Sequence, residues 1–334
     1  MSTSVTFPGL PVALSARPVR YDGDGPDLAD RVALLQVAHR IEQTYLGAAD
    51  TTAAEMVEMV AGPDVLREES LLVVDPRDEP VGSCWYDVDE VGRVVFCQSF
   101  VDPQRHDARA LLEALVRHGI DVAHRVIAGR EGWKIRTGLL AVETTYDEVL
   151  RTNGYAPIRR FWWMEIRSDS PEMPTTSPAL PPGVTVETGG SAAQRQSIYE
   201  VDQAAFTDHW NFNPRSYDEA WKHVLSEPGA RPEYWSLLRV DGDPAALCLL
   251  SDSRRERGYG YVSVLGVRRE YRRRGLAQLL LRRTFVQARA DGLVGTALHV
   301  DSQNPTGAIS LYESVGMTAA QVVDVYELCT PDPV

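Results

Sequence analysis

A basic, glycine-containing turn in the second half of the chain carries the clearest chemistry in the sequence. Residues 262–281 are VSVLGVRREYRRRGLAQLLL, a β-branched stretch followed by the turn and a helical pattern. A helix N-terminus presents unpaired N–H groups and the positive end of its dipole, and glycine lets that main chain close around an anion. Arginines add charge-assisted hydrogen bonds. The pattern predicts a pyrophosphate site at six consecutive residues: Arg272, Arg273, Arg274, Gly275, Leu276 and Ala277.

A second segment further along the chain, LHVDSQNPTGAISLYESVGM, strengthens this interpretation. A predicted strand leads to Asn304, and a short predicted helix containing Ala308 and Tyr312 ends at a C-cap glycine. In this order, the R-x-x-G-x-A pattern of the turn and the Asn–Ala–Tyr segment resemble the two signatures of the GNAT superfamily (GCN5-related N-acetyltransferases), in particular its tandem two-domain members. The resemblance covers residues 184–328. Within the second segment the departure is Met317, where the superfamily usually has Phe.

The resemblance implies a cosubstrate and roles for several residues. Acetyl-CoA would bind through its pyrophosphate at the basic turn and would also contact Asn304 and Ala308. In this superfamily a bulge in the fourth strand exposes main-chain N–H groups to the pantetheine and the acyl carbonyl. The counterpart here has three residues in sequence: Leu265, Gly266 and Val267. Tyr312 would protonate the departing thiolate, since a phenol with a pKa of about 10 suits that step. An amphipathic core position is the alternative for Tyr312.

The group that takes the proton from the amine is harder to assign. Many members of the superfamily have a Glu near the start of the fourth strand, where Tyr261 stands here. His299 and Asp301, on the next predicted strand, are candidates that act through water, and a water chain alone is the alternative. His209 and Trp210 lie in the loop that borders the acceptor site in this superfamily, so we expect them to bind the acceptor together with Tyr261. A single histidine is also commonly a packed or surface residue.

The predicted strands and helices follow a similar order in the two halves of the chain. We expect a degenerate GNAT-like domain at 6–167, a Pro-, Ser- and Thr-rich linker at 168–182, and a catalytic GNAT domain at 183–330. The predicted fold class is α/β (α+β mixed sheet). Each of the two tandem domains would have a central mixed, mostly antiparallel sheet flanked by helices.

The first half lacks the key residues of the basic turn. Its glycine position holds Asp107 or Arg109, depending on where a gap is placed, and an Asp would repel pyrophosphate. Leu150 stands at the position of Tyr312. We therefore expect this half to keep the fold without catalysing the reaction.

Composition excludes several classes of function. The net charge of −13 argues against a broad nucleic-acid-binding face, and no apolar run approaches the length of a membrane span. Four scattered cysteines indicate reduced thiols in a cytoplasmic protein, and no His/Cys cluster has metal-ligand spacing. We expect a monomer or homodimer that transfers an acetyl group from acetyl-CoA to a primary amine of a small molecule. An acetyl-CoA-sensing pseudo-enzyme and a protein N-terminal or lysine acetyltransferase are the alternatives.

Overall fold

The computed structural model describes residues 4–207, 214–226, 229–303 and 307–329. The chain forms two compact units. The first contains the residues through Arg160 together with the stretch that begins at Val322, and the second is Phe161–Gln321. Within the described residues no helix is long and apolar enough to cross a membrane, and no cluster of His, Cys, Asp and Glu could hold a metal ion.

The first unit has helices on a mostly antiparallel sheet. Its strands are β1 (Ser15–Pro18), β2 (Tyr21–Asp22), β3 (Gly25–Pro26), β4 (Leu71–Val74), β5 (Pro80–Asp89), β6 (Val94–Val101), β7 (Lys134–Leu140) and the first part of β8 (Tyr155–Arg167). Its helices are α1 (Leu28–Tyr45), α2 (Ala53–Ala61), α3 (Ala108–Val126) and α4 (Thr144–Thr152). The sheet has the order β1-β4-β5-β6-β7, and only β6 and β7 are parallel.

The second unit repeats this arrangement. Its strands are β9 (Val184–Thr188), β10 (Ser236–Val240), β11 (Asp243–Ser251), β12 (Tyr259–Val267) and β13 (Gly295–Asp301). Its helices are α5 (Ala192–Phe206), α6 (Tyr217–Ser226), α7 (Leu276–Ala290) and α8 (Ala308–Ser314), and the chain continues into β14 (Thr318–Leu328). The sheet order is β9-β10-β11-β12-β13, and again only the last two strands are parallel. The two halves of the chain therefore share one topology, and the predicted fold class is confirmed.

The last strand of each sheet comes from the other half of the sequence. Residues 161–167 of β8 pair with β13, whereas residues 323–327 of β14 pair with β7. Each compact unit therefore takes its final strand from the other half of the sequence. For this reason the units do not coincide with the sequence boundaries of 6–167 and 183–330. Residues 168–183 between them contain no helix or strand, and Met173 is buried in the core of the second unit.

Local sequence signals account for the elements that position the site. Ser191 and Gln194 form a capping box at the start of α5. Asp241 and Gly242 have φ values of +52° and +94°, as a tight hairpin turn between β10 and β11 requires. The central strand β11 is buried on both faces from Ala245 onward, since α5 and α7 pack on opposite sides of it.

Candidate active site

Strands β12 and β13 separate after a short parallel stretch, and the pair Tyr261↔Ala297 is the last in register. Beyond it β13 continues beside β8 and β12 continues beside β11. A register shift between Leu249 and Leu250 leaves Ser263 as an extra residue on β12. The bulge expected in this strand is therefore present, and it lies where the two strands part.

Beyond the bulge, the main-chain N–H groups of β12 point alternately toward β11 and away from it. The Arg268 N–H donates to the Ala245 carbonyl at 2.9 Å. Alternate residues of an antiparallel strand direct their main-chain groups to opposite neighbours. The N–H groups of Leu265 and Val267 therefore point away from β11, to the side from which β13 has separated, whereas that of Gly266 points toward β11.

The end of α5 is held tightly against the end of β12. A Cβ on Gly266 would lie 3.1 Å from Ala205 Cβ and 3.2 Å from Phe206 Cε2, so glycine permits this close approach. The Arg272 guanidinium donates through Nη2 to the Ala205 carbonyl at 2.9 Å and through Nε to the Val267 carbonyl at 3.1 Å. Arg272 thus ties the helix to the strand beside the opening.

The turn that enters α7 has an open helix N-terminus. Arg273 and Gly275 have φ values of +63° and +75°, and no side chain caps the helix. An added Cβ at Gly275 would meet a single side-chain atom, 3.9 Å away. Leu276 and Ala277 begin the helix, and Arg273 and Arg274 are exposed beside it. An uncapped N-terminus flanked by positive charge suits a pyrophosphate.

Tyr312 lies on the face of the sheet that packs against α7. It is 8% exposed and shares a hydrophobic cluster with Ala308 of the same helix. Burial, and then the nearby Cys248 and Tyr261, raise the pKa of the Tyr312 phenol above its usual value. The phenol therefore stays protonated at neutral pH, which is the state that a proton donor requires.

The opposite face of the sheet carries Tyr261 and His299. Tyr261 pairs with Ala297, and His299 follows two residues later on the same face of β13. Tyr261 Oη and His299 Nδ1 are 3.0 Å apart and form a hydrogen bond. Trp163 of β8 pairs with His299, stacks on the Tyr261 ring at 5.9 Å, and meets the His299 ring edge-on at 4.9 Å. Tyr261 and His299, for which the sequence predicts separate roles, thus form one hydrogen-bonded pair.

Glu165 fixes the aromatic cluster, which consists of Trp163, Tyr259, Tyr261 and His299. Its carboxylate accepts hydrogen bonds from Trp163 Nε1 and from Tyr259 Oη, each at 3.0 Å. Burial, followed by the Glu165 charge, raises the pKa of Tyr259 to about 12. The sequence interpretation missed Trp163 and Glu165 because it assigned their strand to the first half. The spacing of Trp163 and Glu165, two residues apart and so on one face of a strand, was the available signal.

The remaining predicted site residues are less informative. Asp301 Oδ1 accepts the Gln303 N–H at 2.8 Å, so this carboxylate supports the turn that follows β13. His209, Trp210 and Asn304 lie outside the described residues.

In the first unit, the turn before α3 is the counterpart of the turn before α7, and it contains a carboxylate side chain. Asp107 is the N-cap of α3, the position that Gly275 has on α7. Arg105 contacts both Asp107 carboxylate oxygens, through Nε at 2.8 Å and Nη2 at 2.9 Å. The Arg105 hydrogen bonds lower the pKa of Asp107, so this carboxylate is ionised at neutral pH.

A buried tyrosine lies beside the counterpart opening in the first unit. Strands β6 and β7 are parallel only from Val94 to Phe96, and they then separate as β12 and β13 do. The Tyr146 hydroxyl is 3.2 Å from Thr137 Oγ1 on β7, just beyond the point where the two strands separate. Tyr146 is buried, so its side chain fills part of the core beside this opening.

Comparison with known proteins identifies the family. Residues 195–317 match the acetyltransferase (GNAT) family. The second unit is a GNAT acetyltransferase domain. The mycothiol acetyltransferase of Arthrobacter sp. (strain FB24) is 29% identical over 182 residues, which are 49% of this chain and 51% of that protein. The chain therefore spans about half the length of the curated relative that it matches. The resemblance that the two sequence signatures predict is confirmed.

Two solved structures cover nearly the whole chain. A GCN5-related N-acetyltransferase from Sphaerobacter thermophilus is 25% identical, with a TM-score of 0.78 over 95% of this chain and 96% of that one. A tandem GNAT protein from the clavulanic acid biosynthesis pathway has the same fold, with 15% identity and a TM-score of 0.70 over 96% and 100% of the two chains. Together with the repeated strand order, these matches show that this chain has the fold of tandem GNAT proteins.

Proposed function

We propose that the second unit transfers an acetyl group from acetyl-CoA to a primary amine of a small molecule, by direct attack in a ternary complex. One observation carries the proposal: β12 and β13 separate directly after the pair Tyr261↔Ala297, and polar side chains lie on both faces of the sheet at this opening. The Tyr261–His299 pair lies on one face of the sheet, and Tyr312 lies on the other. An amine can therefore approach from one face while the thiol leaves toward the other.

Each residue then has a defined task. The N–H groups of Leu265 and Val267 stabilise the negative charge that develops on the acyl oxygen. His299 takes the amine proton, directly or through water, and Tyr261 orients its ring through their hydrogen bond. A carbon–nitrogen bond forms, the carbon–sulfur bond breaks, and Tyr312 gives its proton to the departing sulfur. Asp301 stays an alternative proton acceptor, on the same face of β13 as His299.

The basic turn fits the cosubstrate. Acetyl-CoA supplies the activated acyl group, and the N–H groups at Gly275, Leu276 and Ala277 would hold its pyrophosphate. Arg273 and Arg274 would add positive charge, whereas Arg272 would act by holding α5 against β12. Asn304, Ala308 and the loop with His209 and Trp210 complete the proposed cosubstrate and acceptor sites.

The first unit is proposed to be non-catalytic. The Asp107 carboxylate occupies the N-cap of α3 and would repel a pyrophosphate. The buried Tyr146 contacts Thr137 of β7, beside the opening that a pantetheine arm would need. Leu150, at the position of Tyr312, is fully buried and has no proton to donate.

Calorimetry and a thiol-release assay test these assignments. Acetyl-CoA should bind the full chain at one site, and Tyr312→Phe should lower kcat while leaving that binding unchanged. Tyr146→Phe is the matched control, because it removes a buried hydroxyl from the first unit and should leave activity unchanged. Two binding sites per chain would contradict the assignment of the first unit. Binding without thiol release for any amine would favour the acetyl-CoA sensor, and release only with peptides would favour a protein acetyltransferase.

A further inference from the structure

Helix α5 carries a half-buried carboxylate, Asp202, on the face of the sheet that also carries Tyr261 and His299. Asp202 comes one turn before Phe206, and Phe206 lies against Gly266 of β12. Helices α5 and α7 pack on opposite sides of β11, so α5 shares its side of the sheet with the Tyr261–His299 pair. Asp202 therefore lies on the side from which the amine approaches in the proposed reaction.

Contacts on the other flank of α5 establish the direction of the Asp202 side chain. Ser197 Oγ accepts a hydrogen bond from Arg239 Nη2 of β10 at 3.1 Å. Asp202 is five residues further along, about 140° around the helix, so it lies on the flank that is turned away from β10. On that side β11 is followed by β12 and then β13, which separate after their short parallel stretch. The carboxylate is therefore turned toward the opening between these two strands.

The protein provides the Asp202 carboxylate with a neutral hydrogen-bond partner. Gln203 Nε2 donates to Asp202 Oδ2 at 3.0 Å, and in the part of the chain that the structure describes no Lys, Arg or His forms an ion pair with this carboxylate. Burial raises the pKa of Asp202, and the Gln203 hydrogen bond and the charge of the exposed Arg215 lower it by less. A cation supplied by a ligand would therefore stabilise this carboxylate.

Two tyrosine rings lie beside the carboxylate. Tyr199 is three residues before Asp202 on the same side of α5, and its ring meets the Tyr217 ring of α6 edge-on at 5.5 Å. The Tyr199 hydroxyl donates to the Arg215 carbonyl at 2.6 Å, and Gln203 Oε1 accepts from the Arg215 N–H at 3.2 Å, so the chain that enters α6 is fixed beside α5. Both rings are half-buried. Aromatic rings next to a carboxylate suit an ammonium group.

The nitrogen that reacts is a poor occupant of this site. A carboxylate beside that nitrogen would stabilise its protonated form, whereas attack on the thioester requires the neutral amine. A second positive group of the acceptor has no such conflict. The net charge of −13 also favours the approach of a cationic acceptor.

We propose that the acceptor is an amine with a second cationic group, an ammonium, and that Asp202 binds this ammonium beside Tyr199 and Tyr217 while the amine reaches His299. This inference rests on the proposed acetyl transfer. Asp202 is a specificity-determining residue in this scheme, and the proton of the reacting amine still goes to His299.

Pairs of amines that differ in one atom test the preference. In each pair one amine ends in a trimethylammonium group and the other in the uncharged tert-butyl group of the same shape, with spacers from ethylene to pentylene. We express kcat/KM per unprotonated amine, because the second charge lowers the pKa of the amine. In at least one pair the charged amine should be preferred by about tenfold or more, as an ion pair at a partly buried site gives.

Variants of α5 assign the preference to Asp202. Asp202→Asn should reduce kcat/KM for the charged amine to about that for its uncharged partner, and Asp202→Glu should keep part of the preference. Glu200→Gln is the matched control, because Glu200 also accepts a glutamine hydrogen bond, from Gln196 Nε2 at 2.9 Å, but is exposed; it should behave as the parent. Equal kcat/KM values within every pair in the parent, or an equal fractional loss for both members in Asp202→Asn, would overturn the inference.

A binding measurement covers the case in which none of these amines is turned over. Tetramethylammonium, which cannot be acetylated, is titrated into the full chain with acetyl-CoA saturating. Binding that is lost in Asp202→Asn and kept in Glu200→Gln supports the cation site. No binding to the parent, or equal binding to all three proteins, refutes it. Failure of acetyl-CoA itself to bind would instead refute the proposed function.

Discussion

Replacement of Gly275 by alanine tests whether the start of α7 binds acetyl-CoA. Gly275 has a φ of +75°, and Gly292, just after the other end of the same helix, has a φ of +73°. A Cβ at Gly275 would meet only one atom, at 3.9 Å, and a Cβ at Gly292 would meet none within 4 Å. Both substitutions should therefore cost about 1–2 kcal/mol of backbone strain and little else. Gly292→Ala is thus a control with the same strain and no ligand nearby.

The two variants should differ in binding. A methyl group at Gly275 would stand where the pyrophosphate must approach the helix N–H groups, and a lost charge-assisted hydrogen bond costs about 1.5–3 kcal/mol. The Kd for acetyl-CoA should rise by about ten- to a hundredfold in Gly275→Ala and stay unchanged in Gly292→Ala. Calorimetry measures the Kd, and thermal unfolding should show similar Tm losses for both. Equal Kd values in the two variants would refute the assignment of the turn.

Four further perturbations test the chemistry and the stability. Tyr312→Phe should lower kcat by about a hundredfold, as loss of a general acid does, and a kcat close to the parent's would remove that role. His299→Asn should lower kcat/KM by about a hundredfold, as loss of a general base does; a kcat/KM close to the parent's would point to Asp301 or water. Burial opposes ionisation of Asp30, but hydrogen bonds from two arginines lower its pKa to about 2. This carboxylate should therefore stabilise the fold above pH ~4 by about 2 kcal/mol, fading toward pH ~2, a dependence that urea unfolding of Asp30→Asn should lack. Burial raises the pKa of Glu143 to about 7, so the stability of the parent should fall as pH rises from ~4.5 to ~7, and Glu143→Gln should remove that slope.

Most of the elements can be predicted from local sequence. Apolar spacing and flanking residues predict helices over 192–206 and 276–290, and these are the bounds of α5 and α7. Apolar spacing does not predict helix α2, although Thr52 and Glu55 form a capping box at its start. It does not predict the short strand β1 either, since four residues carry little periodicity.

The candidate site is only partly visible in the sequence. The turn at Gly275 and the helix with Tyr312 follow from motifs, because their residues are close together along the chain. The aromatic cluster does not, since Trp163 and His299 meet only through the pairing of β8 with β13. The predicted roles of the site residues stay predictions until the variants are measured.

The sequence by itself determined the family, the repeated order of elements and the basic turn, because each depends on neighbours along the chain. Only the tertiary structure decided which strands pair, and it placed residues 161–167 in the sheet of the second unit. Strand pairing joins distant segments through hydrogen bonds that any residue can make, so local pattern cannot specify the partner. The same pairing puts His299 and Tyr312 on opposite faces of the opening between β12 and β13, and it is this separation that the proposed reaction requires.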